Sequence, residues 1–349
     1  MDGTGPRIAH PWRTPPAPGE AIAVADGVLW MRLPLPMALD HVNVYALDDG
    51  DGWTIVDTGT MTARTRAAWE ALLAGPLHGR PVTRVVVTHH HPDHAGLAAD
   101  FVARGASLAM SRSAWLLTRM LTLDDQPFPP PESLAFYRRA GLPPDRIARM
   151  ATTRPFNFAD CVAPLPLGYT RLIDGQIITM GGRSWDIRMG HGHAPEQATF
   201  WSRDDVLVLG ADQILPDISP NLGVYPTEPE ADTVADWLAS CAALLPDARE
   251  DHLVLPGHKL PFTGLPHRLN RLIQNHHGAL ERLDSALARP LTAPETFAAL
   301  YQRDNRDGEY GLALAEALGH LNHLHQTGRA SRWIAPDGAY RWQSTAFRA

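Results

Sequence analysis

From residue 21 onward the chain runs in short apolar stretches broken by turn residues, the spacing of strands packed in a sheet. Stretches 27–32 (GVLWMR), 41–47 (HVNVYAL) and 53–56 (WTIV) read as strands, with the DDGDG turn at 48–52 joining the last two. Helical spacing follows over 61–74 and stops at Gly75-Pro76. The β-branched run 82–87 (VTRVVV) reads as a buried strand. A short helix over 97–104 and a strand over 107–110 come next. Residues 111–165 break this rhythm. Helical stretches at 113–123, 131–140 and 144–150 alternate with proline-rich breaks such as PFPPP at 127–131, so the segment reads as an inserted lid or wall. Strands return at 176–180, 184–189, 198–202 and 206–209, then a helix over 232–245 and a strand over 252–255. Alternating strands and helices predict a layered domain of mixed class.

The last part changes character. Helices are expected over 268–287, 293–301 and 310–327, where Leu314, Leu318, Leu321 and Leu324 share one face. Residues 333–334 and 340–342 flank Pro336-Asp337-Gly338, a hairpin signal. Helices followed by a hairpin resemble a small winged-helix module. The expected organisation is therefore an extended arm over 1–20, a catalytic domain over 21–265 and a C-terminal module over 266–349.

Composition narrows the function. With 349 residues, 44% hydrophobic and 20% charged, the chain reads as an ordinary globular protein. No apolar run is long enough to span a membrane. The start, MDGTGPRIAHPWRTPPAPGE, lacks the basic-then-apolar pattern of a secretion signal, so a cytoplasmic location is expected. Cys161 and Cys241 are too few for a disulfide scaffold and read as buried thiols. A net charge of −7 argues against a nucleic-acid surface, although the tail from Lys259 is mildly basic. A homodimer is admissible, because winged-helix tails and apolar lids often pair.

Histidine carries the chemistry. Thr88-His89-His90-His91-Pro92-Asp93-His94-Ala95-Gly96 follows a buried strand and precedes a short helix. His89 and His91, two apart, can face one ion, while Asp93 and His94 continue round the turn towards a second. Imidazole and carboxylate are the donors that zinc prefers when water must also bind. Three further strand ends each place a donor beside a glycine: His193 in Gly190-His191-Gly192-His193-Ala194-Pro195-Glu196, Asp212 after Gly210-Ala211, and His258 after Pro256-Gly257. Loops converging at one sheet edge would gather all seven donors. His90 reads as a spacer and His191 as a turn residue. His276, His277, His320, His323 and His325 read as surface or partner-facing residues.

The order His-x-His-x-Asp-His, then a lone His, a lone Asp and a final His, resembles the metallo-β-lactamase superfamily. The resemblance spans roughly 27–264 and includes the Asp57-Thr58-Gly59 turn. It implies an α+β fold, a four-layer αββα sandwich with the site at one edge. It also implies two divalent ions, zinc first, with iron or manganese as alternatives. By the same resemblance His89, His91 and His193 hold one metal, Asp93, His94 and His258 the other, and Asp212 bridges them. Asp93 would also orient a metal-bridging hydroxide. Asp57 is expected to tie loops together below the metals, and Glu196 to orient a ligand histidine. Lys259, Tyr225 and Asn221 are candidates for contact with substrate.

Within the superfamily, the LPLP stretch at 33–36, HVNVY at 41–45, GHAPE at 192–196 and GADQILP at 210–216 resemble a glyoxalase-II-like branch that carries a winged-helix tail. The expected activity is hydrolysis of a small acyl compound, a thioester or a lactone. The alternatives are a nucleic-acid phosphodiesterase, a mononuclear iron persulfide dioxygenase and a promiscuous β-lactamase.

Overall fold

A computed structural model of the chain describes residues 7–301 and 309–347. It divides into two compact units. The first comprises residues up to 125 together with 157–220 and 244–269; the second comprises 126–156, 221–243 and 270–349.

The first unit is built on two sheets. One has seven strands in chain order: β1 (Ile22–Ala25), β2 (Val28–Pro34), β3 (His41–Asp48), β4 (Trp53–Val56), β5 (Val82–Val86), β6 (Ser107–Met110) and β7 (Thr170–Arg171). Its first four strands pair antiparallel and β4 to β7 run parallel. The other sheet has the order β12-β11-β10-β9-β8, made from β8 (Ile177–Met180), β9 (Arg183–Gly190), β10 (Gln197–Ser202), β11 (Leu207–Ala211) and β12 (Leu253–Pro256). β1 and the two-residue β7 extend the first sheet beyond what the apolar pattern predicts.

Period-two alternation sorts the side chains of the first sheet. Val42, Val44 and Ala46 of β3 face one way, with Met31, Leu33, Ile55 and Val85. They pack on helices α1 (Ala63–Ala74), α3 (Ala98–Ala103) and α4 (Arg112–Leu123) through Trp69, Leu72, Phe101 and Ala114. The short α2 (Pro92–Ala95) precedes α3. Trp30, Tyr45, Val56 and Val86 face the other way and meet Trp185, Ile187, Phe200, Leu209 and Leu255 of the second sheet. Thus the first unit stacks helices, sheet and sheet around two continuous cores. Two backbone bonds fasten the sheets at one edge: Asn43 N–H to Gly257 O at 2.7 Å and Ala198 N–H to Thr88 O at 2.8 Å. The described part of the N-terminal arm pairs at Ala9 with Thr263.

The second unit holds α5 (Pro131–Arg139), α6 (Pro144–Thr152), most of α7 (Thr233–Leu244) and α8 (Leu265–Ala286), α9 (Phe297–Tyr301), α10 (Tyr310–Gln326) and the hairpin β13 (Ala330–Ile334)/β14 (Tyr340–Ser344). The segment read as one insertion is therefore shared: α4 belongs to the first unit, α5 and α6 to the second. Leu314, Leu318, Leu321 and Leu324 are all buried, as their spacing predicts. The hairpin is stitched to the chain after α8 by paired bonds between Leu291 and Trp342 at 3.0 and 2.9 Å.

His276 and His320, read from sequence as surface residues, are core residues at 4% and 2% exposure. Their rings stack at 5.5 Å, with Nδ1 of His276 3.3 Å from Nε2 of His320. Burial pushes the His320 imidazole down to about 4, so it stays neutral and its body packs as a flat apolar group. One turn earlier, burial pushes the Glu316 carboxyl up to about 7, with Tyr301 pulling the other way. A folded-state value above the unfolded one means stability that is present below about pH 4.5 and is lost as pH rises through 7. Glu316→Gln should therefore stabilise the fold at pH 8 by on the order of 2 kcal/mol, read as a higher thermal midpoint, with little effect at pH 4.5. Equal shifts at the two pH values in thermal melts would refute the assignment. No helix among the described residues is long and apolar enough to cross a membrane.

Candidate metal centre

Five strand exits build the site, and four of them contain an unusual backbone turn. Asp57 after β4, Glu196 before β10, Ala211 at the end of β11 and Lys259 after β12 all adopt positive φ (63°, 49°, 44° and 71°). Only one other described non-glycine residue does so. Such conformations cost energy and persist where the surroundings over-determine them. The β5 exit carries His89 to His94 and enters α2 with Pro92 in its first turn. Thr58 locks that turn, since its N–H and hydroxyl both donate to His94 O at 2.9 Å. At Gly96 a Cβ would lie 2.5–2.7 Å from Gly59 O, Pro92 O and Met61 N, so no side chain fits. A Cβ on Gly257 would collide with Asp212 Oδ1.

The donors gather as three overlapping groups: His89, His91 and His193; His89, His94 and Asp212; Asp93, His94 and His258. Within each group the candidate ligand atoms lie within 4.8 Å of one another. His91 Nδ1 sits 3.0 Å from both His89 Nε2 and His193 Nε2. Asp212 Oδ2 lies 3.5 Å from His193 Nε2, 3.5 Å from His94 Nε2 and 3.2 Å from His258 Nε2. Asp93 Oδ2 is 3.3 Å from His258 Nε2 and 3.5 Å from His94 Nε2.

Hydrogen bonds behind the rings fix which nitrogen is free. The Thr88 hydroxyl donates its proton to Asp57 Oδ2 at 2.9 Å, so His89 Nδ1–H must be the donor to Thr88 Oγ1 at 3.0 Å. His89 Nε2 then carries a lone pair. His94 Nδ1–H donates to Asp57 Oδ2 at 2.8 Å and His258 Nδ1–H to His41 O at 2.8 Å, which frees both Nε2 atoms. Second partners of this kind orient metal-ligating imidazoles. Asp57 is the hub: its Oδ1 also accepts Thr88 N–H at 2.8 Å.

The residues fit a cation. One proton cannot satisfy both short contacts of His91 Nδ1, so ring lone pairs face one another at 3.0 Å. That spacing is close to the ~3.3 Å edge of a tetrahedron with nitrogen ligands at about 2.0–2.1 Å. His94 Nε2 and Asp212 Oδ1 are buried without a hydrogen-bond partner. Burial drives His89 and His91 well below the usual imidazole range, leaving neutral ligands. For His94 and His258 burial pulls down, but Asp93 and Asp212 more than reverse it and raise both, His258 to about 10. The two carboxylates demand positive charge.

Residues 37–258 match the family model described as the metallo-beta-lactamase superfamily. The chain belongs to that superfamily. Residues 280–345 match the metallo-beta-lactamase-like C-terminal domain. The chain is 25% identical over 315 residues to the probable metallo-hydrolase YqjP of Bacillus subtilis, covering 86% of this chain and 92% of the relative. A beta-lactamase domain protein from Burkholderia ambifaria is 33% identical, with a TM-score of 0.89 over 97% of this chain and 98% of that one. A metallo-beta-lactamase family protein from Thermus thermophilus is 27% identical, with a TM-score of 0.77 over 92% and 100%. The α+β metallo-β-lactamase fold expected from the motif is the fold observed. Superfamily members bind divalent metals, often zinc, and the His/Asp cluster is the candidate site for them here.

The remaining sequence candidates fall differently. Glu196, expected beside a ligand histidine, engages α4 instead: Oε2 accepts Ser113 N–H at 2.7 Å and Oε1 lies 3.9 Å from Arg171. Its carboxyl is held below the usual range because these bonds and Arg171 outweigh the opposing effect of burial. His191 Nδ1 accepts Glu196 N–H at 3.4 Å, closing the turn. Asn221 gives its amide to Leu312 O at 3.0 Å within the second unit, where Tyr225 also lies. His90 stacks on Phe158 at 6.1 Å. Lys259 is tied through its backbone by Arg32, Asn43 and His41. Sequence reasoning missed Thr88, His41 and Asn43. The amide of Asn43 accepts from Trp30 and Arg32 and donates to Pro256 O and Lys259 O, joining β2, β3 and the β12 exit. Its only signal was its place in HVNVY.

Proposed function

We propose that the chain is a binuclear hydrolase of small acyl compounds, a thioester or a lactone, working with two zinc ions in the cytoplasm. The observation that carries the binuclear reading is the placement of Asp212 Oδ2, 3.2–3.5 Å from a histidine nitrogen of both donor groups. His89, His91 and His193 would hold one ion, and Asp93, His94 and His258 the other. When bound, such a pair supplies a nucleophile at neutral pH and polarises the substrate carbonyl. Asp93, the more exposed carboxylate of the site at 23% against 7% for Asp212, would both bind the second ion and orient the nucleophile. Lys259, next to His258, offers an ammonium to an anionic substrate group. Asp57 and Thr88 keep the imidazoles in one tautomer throughout. A net charge of −7 disfavours a polyanionic substrate.

The test is initial rates of the zinc- or manganese-loaded protein on an acyl thioester, an acyl-homoserine-type lactone, a β-lactam and a phosphodiester, with and without chelator. Turnover of the thioester or lactone is expected, lost on chelation and restored by metal. Turnover of the phosphodiester alone would overturn the acyl reading, and rates indifferent to chelator would overturn the metal reading.

A further inference from the structure

His41 stands at the first position of β3 and presents two groups to the loop that follows β12. Its carbonyl accepts His258 Nδ1–H at 2.8 Å. Its ring Nε2 accepts the backbone N–H of Lys259 at 3.0 Å. Because a backbone N–H can only donate, Nε2 must be the unprotonated nitrogen. The ring proton then sits on Nδ1, which donates to Asp40 Oδ1 at 2.7 Å. The same Lys259 residue has its carbonyl gripped by Arg32 Nη2 at 2.6 Å and Asn43 Nδ2 at 2.9 Å. Lys259 is therefore held at both its N–H and its C=O, in a left-handed conformation (φ 71°) that a lysine does not choose unaided. This turn begins at the residue after His258.

We propose that His41, with its tautomer set by Asp40, is a positioning residue that clamps the Lys259 turn and aims His258 Nε2 at the Asp93–Asp212 carboxylates. The proposal rests on reading His258 as a metal ligand. The sequence gives no hint of it: residue 41 lies over 200 positions from His258, and its ring serves as an acceptor for Lys259 N–H. The main-chain half of the arrangement, His41 O to His258 Nδ1, survives any substitution at 41. Thus replacing the side chain isolates the effect of the clamp on the turn. Outer partners of metal ligands typically change metal affinity about 10- to 100-fold when removed.

Four full-length variants separate the possibilities: His41→Phe, His41→Gln, Asp40→Ala and His258→Ala. The readouts are zinc stoichiometry and affinity by competition with a chelating indicator, and the visible spectrum of the cobalt(II)-substituted protein. His41→Phe fills the space without an acceptor and should weaken one of the two zinc equivalents about 10- to 100-fold, with an altered cobalt spectrum. His41→Gln can present Oε1 to Lys259 N–H and should return to within about threefold of the wild type. Asp40→Ala, at an exposed position that the fold tolerates, should weaken the same equivalent by several fold because the ring is free to take the wrong tautomer. Wild-type affinity and spectrum in both His41→Phe and Asp40→Ala, alongside loss of one equivalent in His258→Ala, would overturn the clamp and leave the ligand reading standing. Two intact equivalents in His258→Ala would remove the ligand reading and the clamp with it.

Discussion

Asp212→Ala should lower the affinity for both metal equivalents and cost about 10³-fold or more in kcat/KM, while leaving the circular dichroism spectrum unchanged. The expectation follows from one oxygen. Asp212 Oδ2 is the atom within 3.5 Å of His193 on one side and of His94 and His258 on the other. On the binuclear reading proposed above, losing it would remove a donor from each group at once, together with the anionic charge that would offset two cations. Polarisation by a bound cation contributes several kcal/mol to a hydrolytic transition state, and about 4 kcal/mol is a factor of 10³. The backbone has less reason to move. The turn at Ala211 is held by strand pairing across β11 and β12 and by Gly257 N–H donating to Ala211 O at 2.8 Å. His91→Ala is the informative companion. His91 belongs only to the group with His89 and His193, so it should weaken one equivalent and spare the other. Two equivalents at wild-type affinity in Asp212→Ala would rule out a shared ligand. Equal losses at both equivalents in His91→Ala would rule out the division into two groups.

The donors were readable because each group sits at a strand end, three of them beside a glycine, where a short apolar run stops and a tight turn begins. That juxtaposition is local in sequence, and local patterns survive without coordinates. The sheets were readable for the same reason: Val42, Val44 and Ala46 alternate with Asn43, Tyr45 and Leu47 in one eight-residue strand. β7, with two residues, is too short to show any period. Contacts that depend on a second distant segment were not readable. Nothing near Glu196 announces that its carboxylate will meet Ser113 N–H. Nothing near His276 announces the ring of His320, because a histidine on a helix has the same neighbours in sequence whether it faces water or another helix. Residues 111–165 read as one insertion into the catalytic domain, yet 126–156 within them cluster with the C-terminal part. Chain continuity says where a segment leaves a domain, and its apolar faces decide where it settles.

Asp57→Asn should leave the fold nearly unchanged and still weaken the equivalent at His94 by about 10- to 100-fold. The reasoning turns on which oxygen is replaced. Thr88 N–H donates to Oδ1 at 2.8 Å and, being backbone, can only donate. In the asparagine the remaining carbonyl oxygen must stay there, so the new NH₂ takes the place of Oδ2. In the native protein Oδ2 accepts from His94 Nδ1 at 2.8 Å and from the Thr88 hydroxyl at 2.9 Å. The hydroxyl can rotate. The imidazole cannot, because its ring is fully buried, and an NH₂ facing Nδ1 makes that nitrogen the acceptor. The neutral ring then carries its proton on Nε2, the atom 3.5 Å from both Asp93 and Asp212. A protonated Nε2 has no lone pair to give a metal, so ligation requires the proton back on Nδ1, where it points at an N–H of the asparagine amide. Asparagine tolerates positive φ at least as well as aspartate, so the turn at φ 63° should persist. Asp57→Ala is a coarser change. It leaves Thr88 N–H and His94 Nδ1–H buried without acceptors and should cost on the order of 3 kcal/mol of stability. Zinc titration of the asparagine variant, read against its melting temperature, separates the two effects. Native-like melting with weakened zinc is the expected pair. Native-like melting with wild-type zinc affinity would mean that Asp57 holds the loops together without choosing the tautomer of His94.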